Sequence, residues 1–231
     1  MEIIGYLFFL LIAIAIFAIP LIFVSGIVYL FIRAKRKNDE RIAAYQAFAR
    51  EMGFSYSGTL HVSQLASANY FYLFTLGHAK DRKAQNLVQG SINGSHVSIF
   101  DYVYTTGRGK NYKGHYQTVM MLESPKLNLP LFSLRPEGAW QMIGEMFGGQ
   151  DIDFASNPVF SSKYQLRGAD ERHIRQTFNN SVLSFFDNTE GLSVEGGGNR
   201  IFAYRLRVLI EPQQLRGALD EGLRIANLFQ S

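Results

Sequence analysis

Residues 86–104 read NLVQGSINGSHVSIFDYVY, and this stretch decides the fold class. Asn93-Gly94 supplies the positive φ angles that a two-residue type I′ hairpin requires. After the turn, Val97, Ile99, Asp101 and Val103 alternate with Ser98, Phe100, Tyr102 and Tyr104. A period of two places the two sets on opposite faces of a strand. The pattern predicts strands over 86–92 and 95–104. A third follows over about 115–123, beyond the loop 106–114, and completes an antiparallel meander. Leu131 to Leu134 adds a short further strand before Arg135-Pro136-Glu137.

Further along the chain the period changes. Helices are expected over about 138–147 and 170–186, with Asp151-Ile152-Asp153-Phe154 and Asn157-Pro158 as an ordered connector. A second hairpin is expected from Leu192 to Glu195, a Gly196-Gly197-Gly198-Asn199 turn, and Arg200 to Ile210. Pro212 stands near the start of a last helix reaching about Phe229, with Leu215, Leu219, Leu223, Ala226 and Leu228 on its apolar side. The class is α+β: an antiparallel sheet with helices on one face or end and a C-terminal helix. A curved sheet ending in a helix is also the element order of a pleckstrin-homology-like barrel, an analogy only.

In the other direction lies the anchor. From Ile3 to Ile32 the chain reads IIGYLFFLLIAIAIFAIPLIFVSGIVYLFI, without one charged side chain. About 20 apolar helical residues cross a bilayer core, so residues 3–32 are read as a single transmembrane helix. A cleaved signal peptide fits less well, because Glu2 replaces the basic n-region and the run is about twice too long. Pro20 and Gly26 imply a mild kink, and no small-xxx-small pair offers a close-packing dimer seam. Arg33, Lys35, Arg36, Lys37 and Arg41 follow the run, whereas only Glu2 and the α-amino group precede it. By the positive-inside bias the N-terminus lies outside and the remainder in the cytoplasm. The absence of cysteine agrees with that compartment. Residues 33–53 read as a basic juxtamembrane helix with Ile42, Tyr45, Ala49 and Met52 as its stripe, ending at Gly53. Residues 54–231 form the cytoplasmic α+β domain.

The formal charge of +4 is concentrated in the stalk. The domain itself is nearly neutral, which disfavours a nucleic-acid partner, since such domains carry a basic face. Arg33, Lys35, Arg36 and Lys37 instead suit anionic lipid headgroups, each cation being worth about 1 kcal/mol near such a surface. The loop TGRGKNYKG (106–114) offers Arg108, Lys110 and Lys113 as further anion or headgroup contacts. It lacks P-loop spacing and opens no helix, and a solvated hairpin tip is the simpler expectation.

Chemistry is sparse. Asp101, Asp151 and Asp153 with His115 would be the residues of a membrane-associated hydrolase, the alternative to a binding role. Structural roles for these carboxylates are favoured: Asp101, within an apolar strand, needs a partner if buried, and Arg135 or Arg167 would serve. The histidines at 61, 78, 96, 115 and 173 show no metal-ligand spacing. There is no GxSxG elbow, no thiol nucleophile and no cofactor fingerprint. No catalytic, cofactor or metal residue is therefore assigned.

The stretches NLVQGSINGSHVSIFDYVYTTG (86–107), LPLFSLRPE (129–137), QDIDFASNPVFSSKYQLRG (150–168) and DERHIRQTF (170–178), with the single N-terminal span, resemble a widespread group of uncharacterised bacterial membrane-anchored proteins of unknown function. The resemblance implies a bacterial inner-membrane setting and carries over no catalytic residue. The leading expectation is a membrane-tethered cytoplasmic module that binds a protein or lipid partner. A subunit scaffolding a membrane complex would instead expose a large apolar patch.

Overall fold

The computed structural model describes residues 2–65, 71–139 and 151–230. The chain divides into two compact units, Met1–Ala43 and Ala44–Ser231. Helix α1 spans Glu2–Met52 and includes Pro20 without interruption. It stops at Gly53, whose φ of 67° no longer fits a helix. Over 16–32 the apolar side chains are mostly exposed; Phe17 and Phe31 are 77% and 73% exposed. The helix is long and apolar enough to cross a membrane, and its most apolar window is not buried.

The second unit is built on one eight-stranded antiparallel sheet: β1 (Ser55–His61), β2 (Lys83–Ile92), β3 (Ser95–Thr106), β4 (Lys113–Glu123), β5 (Leu129–Pro136), β6 (Tyr164–Gly168), β7 (Leu192–Gly198) and β8 (Arg200–Arg205). The order is β1-β2-β3-β4-β8-β7-β5-β6, an open sheet with β1 and β6 at its edges rather than a closed barrel. The outer side of β6 is covered: Ile152 N–H donates to Leu166 O, and Leu166 N–H donates to Asp151 Oδ1.

Strand alternation sends two apolar sets to two faces, and both are buried. On the first face Val97, Ile99, Met120, Leu122, Leu134 and Val194 belong to one core cluster that also includes Tyr45, Phe48 and Ala49 from the last turns of α1. Helices α2 (Pro158–Lys163), α3 (Glu171–Thr177), α4 (Asn180–Asp187) and α5 (Leu215–Leu228) complete that layer. On the second face Phe100, Tyr102, Tyr104, Phe202 and Tyr204 lie under an irregular cover from Phe71 to Leu76. Phe74 meets Tyr102 and Phe202 edge-on at 5.5 and 5.3 Å, a favoured geometry for aromatic quadrupoles.

The meander, the second hairpin and the C-terminal helix follow the sequence reading. Elsewhere the structure departs from it. The expected helix over 170–186 is two helices, because Asn179 ends the run and caps α4, accepting from the Ser181 and Val182 amides. Asn157-Pro158 does not merely connect: Asn157 caps α2 and accepts from Phe160 N–H, with Pro158 in the first turn. Gly196 and Gly197 are strand residues paired with Ile201 and Arg200, not part of a four-residue turn. A Cβ at Gly196 would collide with the Phe132 ring, so close aromatic packing explains the glycine there. The helix expected over about 138–147 falls mostly on 140–150, outside the described residues.

Candidate functional site

Arg33, Lys35, Arg36 and Lys37 are exposed on α1. Arg36 Nε lies 2.8 Å from Glu40 Oε1, an exposed i,i+4 pair worth a few tenths of a kcal/mol, or about 0.3–0.5.

The loop carrying Arg108, Lys110 and Lys113 is fastened rather than loose. Asp81 accepts from Thr105 Oγ1 at 2.6 Å and from the Tyr112 hydroxyl at 2.9 Å. His78 N–H donates to Thr105 O, and His78 Nε2 is 2.7 Å from Gly107 O. The His78 and Tyr112 rings stack at 6.3 Å. Arg82 in turn fixes the preceding bend by donating to the carbonyls of Thr75, Leu76 and Gly77. The three basic side chains themselves are exposed, and among the described residues they form no ion pair. The loop thus holds cations at fixed backbone positions, an arrangement suited to anions.

His115 sits behind this loop, stacked on Tyr104 at 4.9 Å with Nε2 2.7 Å from Thr106 Oγ1. Burial, then the positive charges of Arg207 and Lys113, hold its pKa below the ordinary 6.5. The unfolded chain therefore takes up a proton that the folded chain resists, so stability is lost as pH falls through this range. Between about pH 7 and 5 the wild-type domain is expected to lose more stability than His115→Gln. Urea titrations at each pH check this; equal losses in both proteins would refute it.

The hydrolase residues are not brought together. Asp101 and His115 occupy opposite faces of the sheet, since Asp101 pairs with Thr118 and His115 with Tyr104 across β3–β4. Asp151 stands at the far edge, against β6, four strand spacings from β4 or about 19 Å. Burial raises its pKa, opposed by the Leu166 hydrogen bond. Asp153 is exposed, and its backbone carbonyl accepts from Arg175. Among the described residues no group of three or more His, Asp or Glu side chains is placed to hold a metal ion.

Asp101 is buried, and Arg135, one of the two arginines expected beside it, pairs with Glu195 instead. Three neutral groups donate to its carboxylate: the Tyr45 hydroxyl at 2.8 Å, Thr118 Oγ1 at 2.9 Å and Asn86 Nδ2 at 3.0 Å. Asn86 reaches it from an irregularity in β2, with a φ of 53° that asparagine tolerates better than most residues. Tyr45 belongs to the last turns of α1, so this cluster bolts that segment to the sheet. Arg135 serves a second cluster on the opposite face. Its guanidinium lies 2.8 Å from Glu195 Oε1, both side chains being 1% exposed, and 4.0 Å over the Tyr72 ring. Glu195 also accepts from the Tyr204 hydroxyl at 2.7 Å and from Leu73 N–H at 3.1 Å. Leu73 belongs to the irregular cover, so this pair fastens the cover to the sheet. The only sequence signal of the Arg135–Glu195 pair is a charge within each of the apolar runs LFSLR and LSVE.

No protein-family model and no curated protein sequence matches this chain. Among solved structures, the chain is similar to the crystal structure of the mycobacterial trehalose monomycolate transport factor A, TtfA. The alignment covers 82% of this chain and 92% of that chain, with a TM-score of 0.55 and 16% sequence identity. At that identity the likeness is one of fold: this chain carries the α+β architecture found in a mycobacterial transport factor.

Proposed function

We propose that this chain is a single-span inner-membrane protein of bacteria whose folded domain is a non-catalytic module for binding a protein partner. Residues 3–32 cross the bilayer, N-terminus outside, and 33–53 lead into the cytoplasmic domain of 54–231. Arg33, Lys35, Arg36 and Lys37 meet anionic headgroups on the cytoplasmic side, and the loop cations Arg108, Lys110 and Lys113 are a second anion contact. The observation that carries this reading is α1 itself: an uncovered apolar helix that continues into turns anchored in the domain core through Tyr45. The separation of Asp101, Asp151, Asp153 and His115 supports a binding role over hydrolysis. The fold's occurrence in a protein described as a transport factor is compatible with such a role.

Crosslinking in native membranes, followed by mild-detergent purification and mass spectrometry, tests the module. A reproducible near-stoichiometric protein is expected; a solitary chain would defeat the reading. Alkaline phosphatase fused after Ser231 should be inactive, and periplasmic activity would reverse the orientation.

A further inference from the structure

The domain has two ends, and they differ. Phe54, just past α1, packs its ring against Gly90, whereas Tyr45 reaches Asp101. Gly90 pairs with Val97, so going from Phe54 back to Tyr45 the chain climbs β3 toward Thr106. The domain is therefore entered at the end of the sheet bearing the β3–β4 loop. That end carries six exposed cations: Lys80, Lys83, Arg108, Lys110, Lys113 and Arg207. At the opposite end Arg200 is matched with Glu123 and Arg216 with Glu51.

Apolar groups stand among these cations. Tyr112 and Tyr116 are 52% and 48% exposed, Val208 and Leu209 43% and 38%. Their presentation is built in. Asp81 holds the Tyr112 hydroxyl, leaving the ring outside. The loop after β8 is pinned to β4: Thr118 N–H donates to Val208 O, Ile210 N–H to Thr118 Oγ1, and Arg207 N–H to Gln117 Oε1. Arg207 adopts a φ of 59° there, a conformation that a non-glycine residue keeps only where its surroundings impose it.

We propose that this end of the domain, the Arg108–Lys113 loop together with Arg207–Leu209, seats on an anionic bilayer surface. The inference rests on the anchored reading above. Cations that hold headgroups, tyrosines at headgroup depth and short aliphatic tips entering the acyl boundary are the combination of an interfacial contact. A protein partner would more often be met by a core depleted of charge. The tether between Ile32 and Ala44 is short, about 18 Å as helix.

The full chain contains no cysteine, which permits single-site labelling. Leu209→Cys, Lys126→Cys at the opposite end and Val24→Cys in the apolar run would each carry a nitrobenzoxadiazole probe. They are compared in nanodiscs of phosphatidylcholine with and without phosphatidylglycerol. The label at 209 is expected to shift to the blue and be quenched by nitroxide-bearing lipid in the anionic discs, while the label at 126 stays aqueous. Arg108→Gln, Lys110→Gln and Lys113→Gln should each weaken the seating about fivefold. A label at 209 that behaves like that at 126 overturns the proposal. So does one shielded from aqueous quencher yet untouched by lipid nitroxide, which would signify a protein contact. Quenching at 24 but not at 209 leaves the anchor standing and removes this proposal alone; no quenching at 24 removes both.

Discussion

Glu195→Ala is expected to lower the unfolding free energy of the domain by about 3–5 kcal/mol, because it strands a buried guanidinium. Arg135 is 1% exposed and would lose its counter-charge. The Tyr204 hydroxyl and the Leu73 amide would lose their acceptor at the same time. Burial pushes the Tyr204 pKa well above its ordinary 10, so that group remains a donor with nowhere to donate. The paired replacement Arg135→Met with Glu195→Leu removes charge and counter-charge together and is expected to cost far less. Urea unfolding of the full chain in detergent, followed by circular dichroism, measures both. Hydrogen exchange locates the damage, which should fall on Phe71 to Leu76, the segment that Glu195 fastens. Equal losses from the single and paired replacements would mean that packing, not charge, holds the cover.

Asp101→Ala is expected to cost about 3 kcal/mol or more, since an unsatisfied buried donor costs about 1–3 kcal/mol and three donors are affected. Tyr45, Asn86 and Thr118 all face the cavity left behind. Tyr45→Phe, which removes one bond and leaves Asp101 the Thr118 and Asn86 donors, should cost about 1 kcal/mol. The distinguishing readout is local: amides of Ala44 to Met52 should exchange much faster in Asp101→Ala. Unchanged protection there would show that Phe48 and Ala49 retain the segment by apolar contact alone.

How far the sequence reveals this architecture depends on which residues carry the signal. Asn93-Gly94 and the alternation after it define β2, β3 and β4, because a tight turn and one period are local properties. The edge strand β1 is hidden: no residue of SYSGTLH is fully buried, and it has no continuous apolar face. The cover over the second face is irregular, so its Phe71, Tyr72 and Phe74 lack the period that would reveal their partner. At the candidate site, the loop cations were visible as residues, but their fastening depends on Asp81 and His78, which come from a distant part of the chain. Asp101 was recognisable as a charge needing company. Neutral donors reach it from three elements, and no pairwise search for an arginine reveals them.

The strand order has a consequence for the timing of folding. Strands β1 to β4 join neighbours in sequence, so they can assemble while later residues are still being synthesised. The seam β4–β8 is different: Val119 pairs with Tyr204, and Glu123 with Arg200. Closing it carries the larger loop entropy, and contacts so distant in sequence slow folding. Until β8 arrives, Met121 and Val119 lie at a growing sheet edge, and α5, which covers Met120, has not been made. A transient sheet with an unpaired apolar edge is the species most exposed to misassociation. Slow translation between β4 and β8 would prolong its life, and the yield of folded protein should be sensitive to the pace of synthesis across that interval.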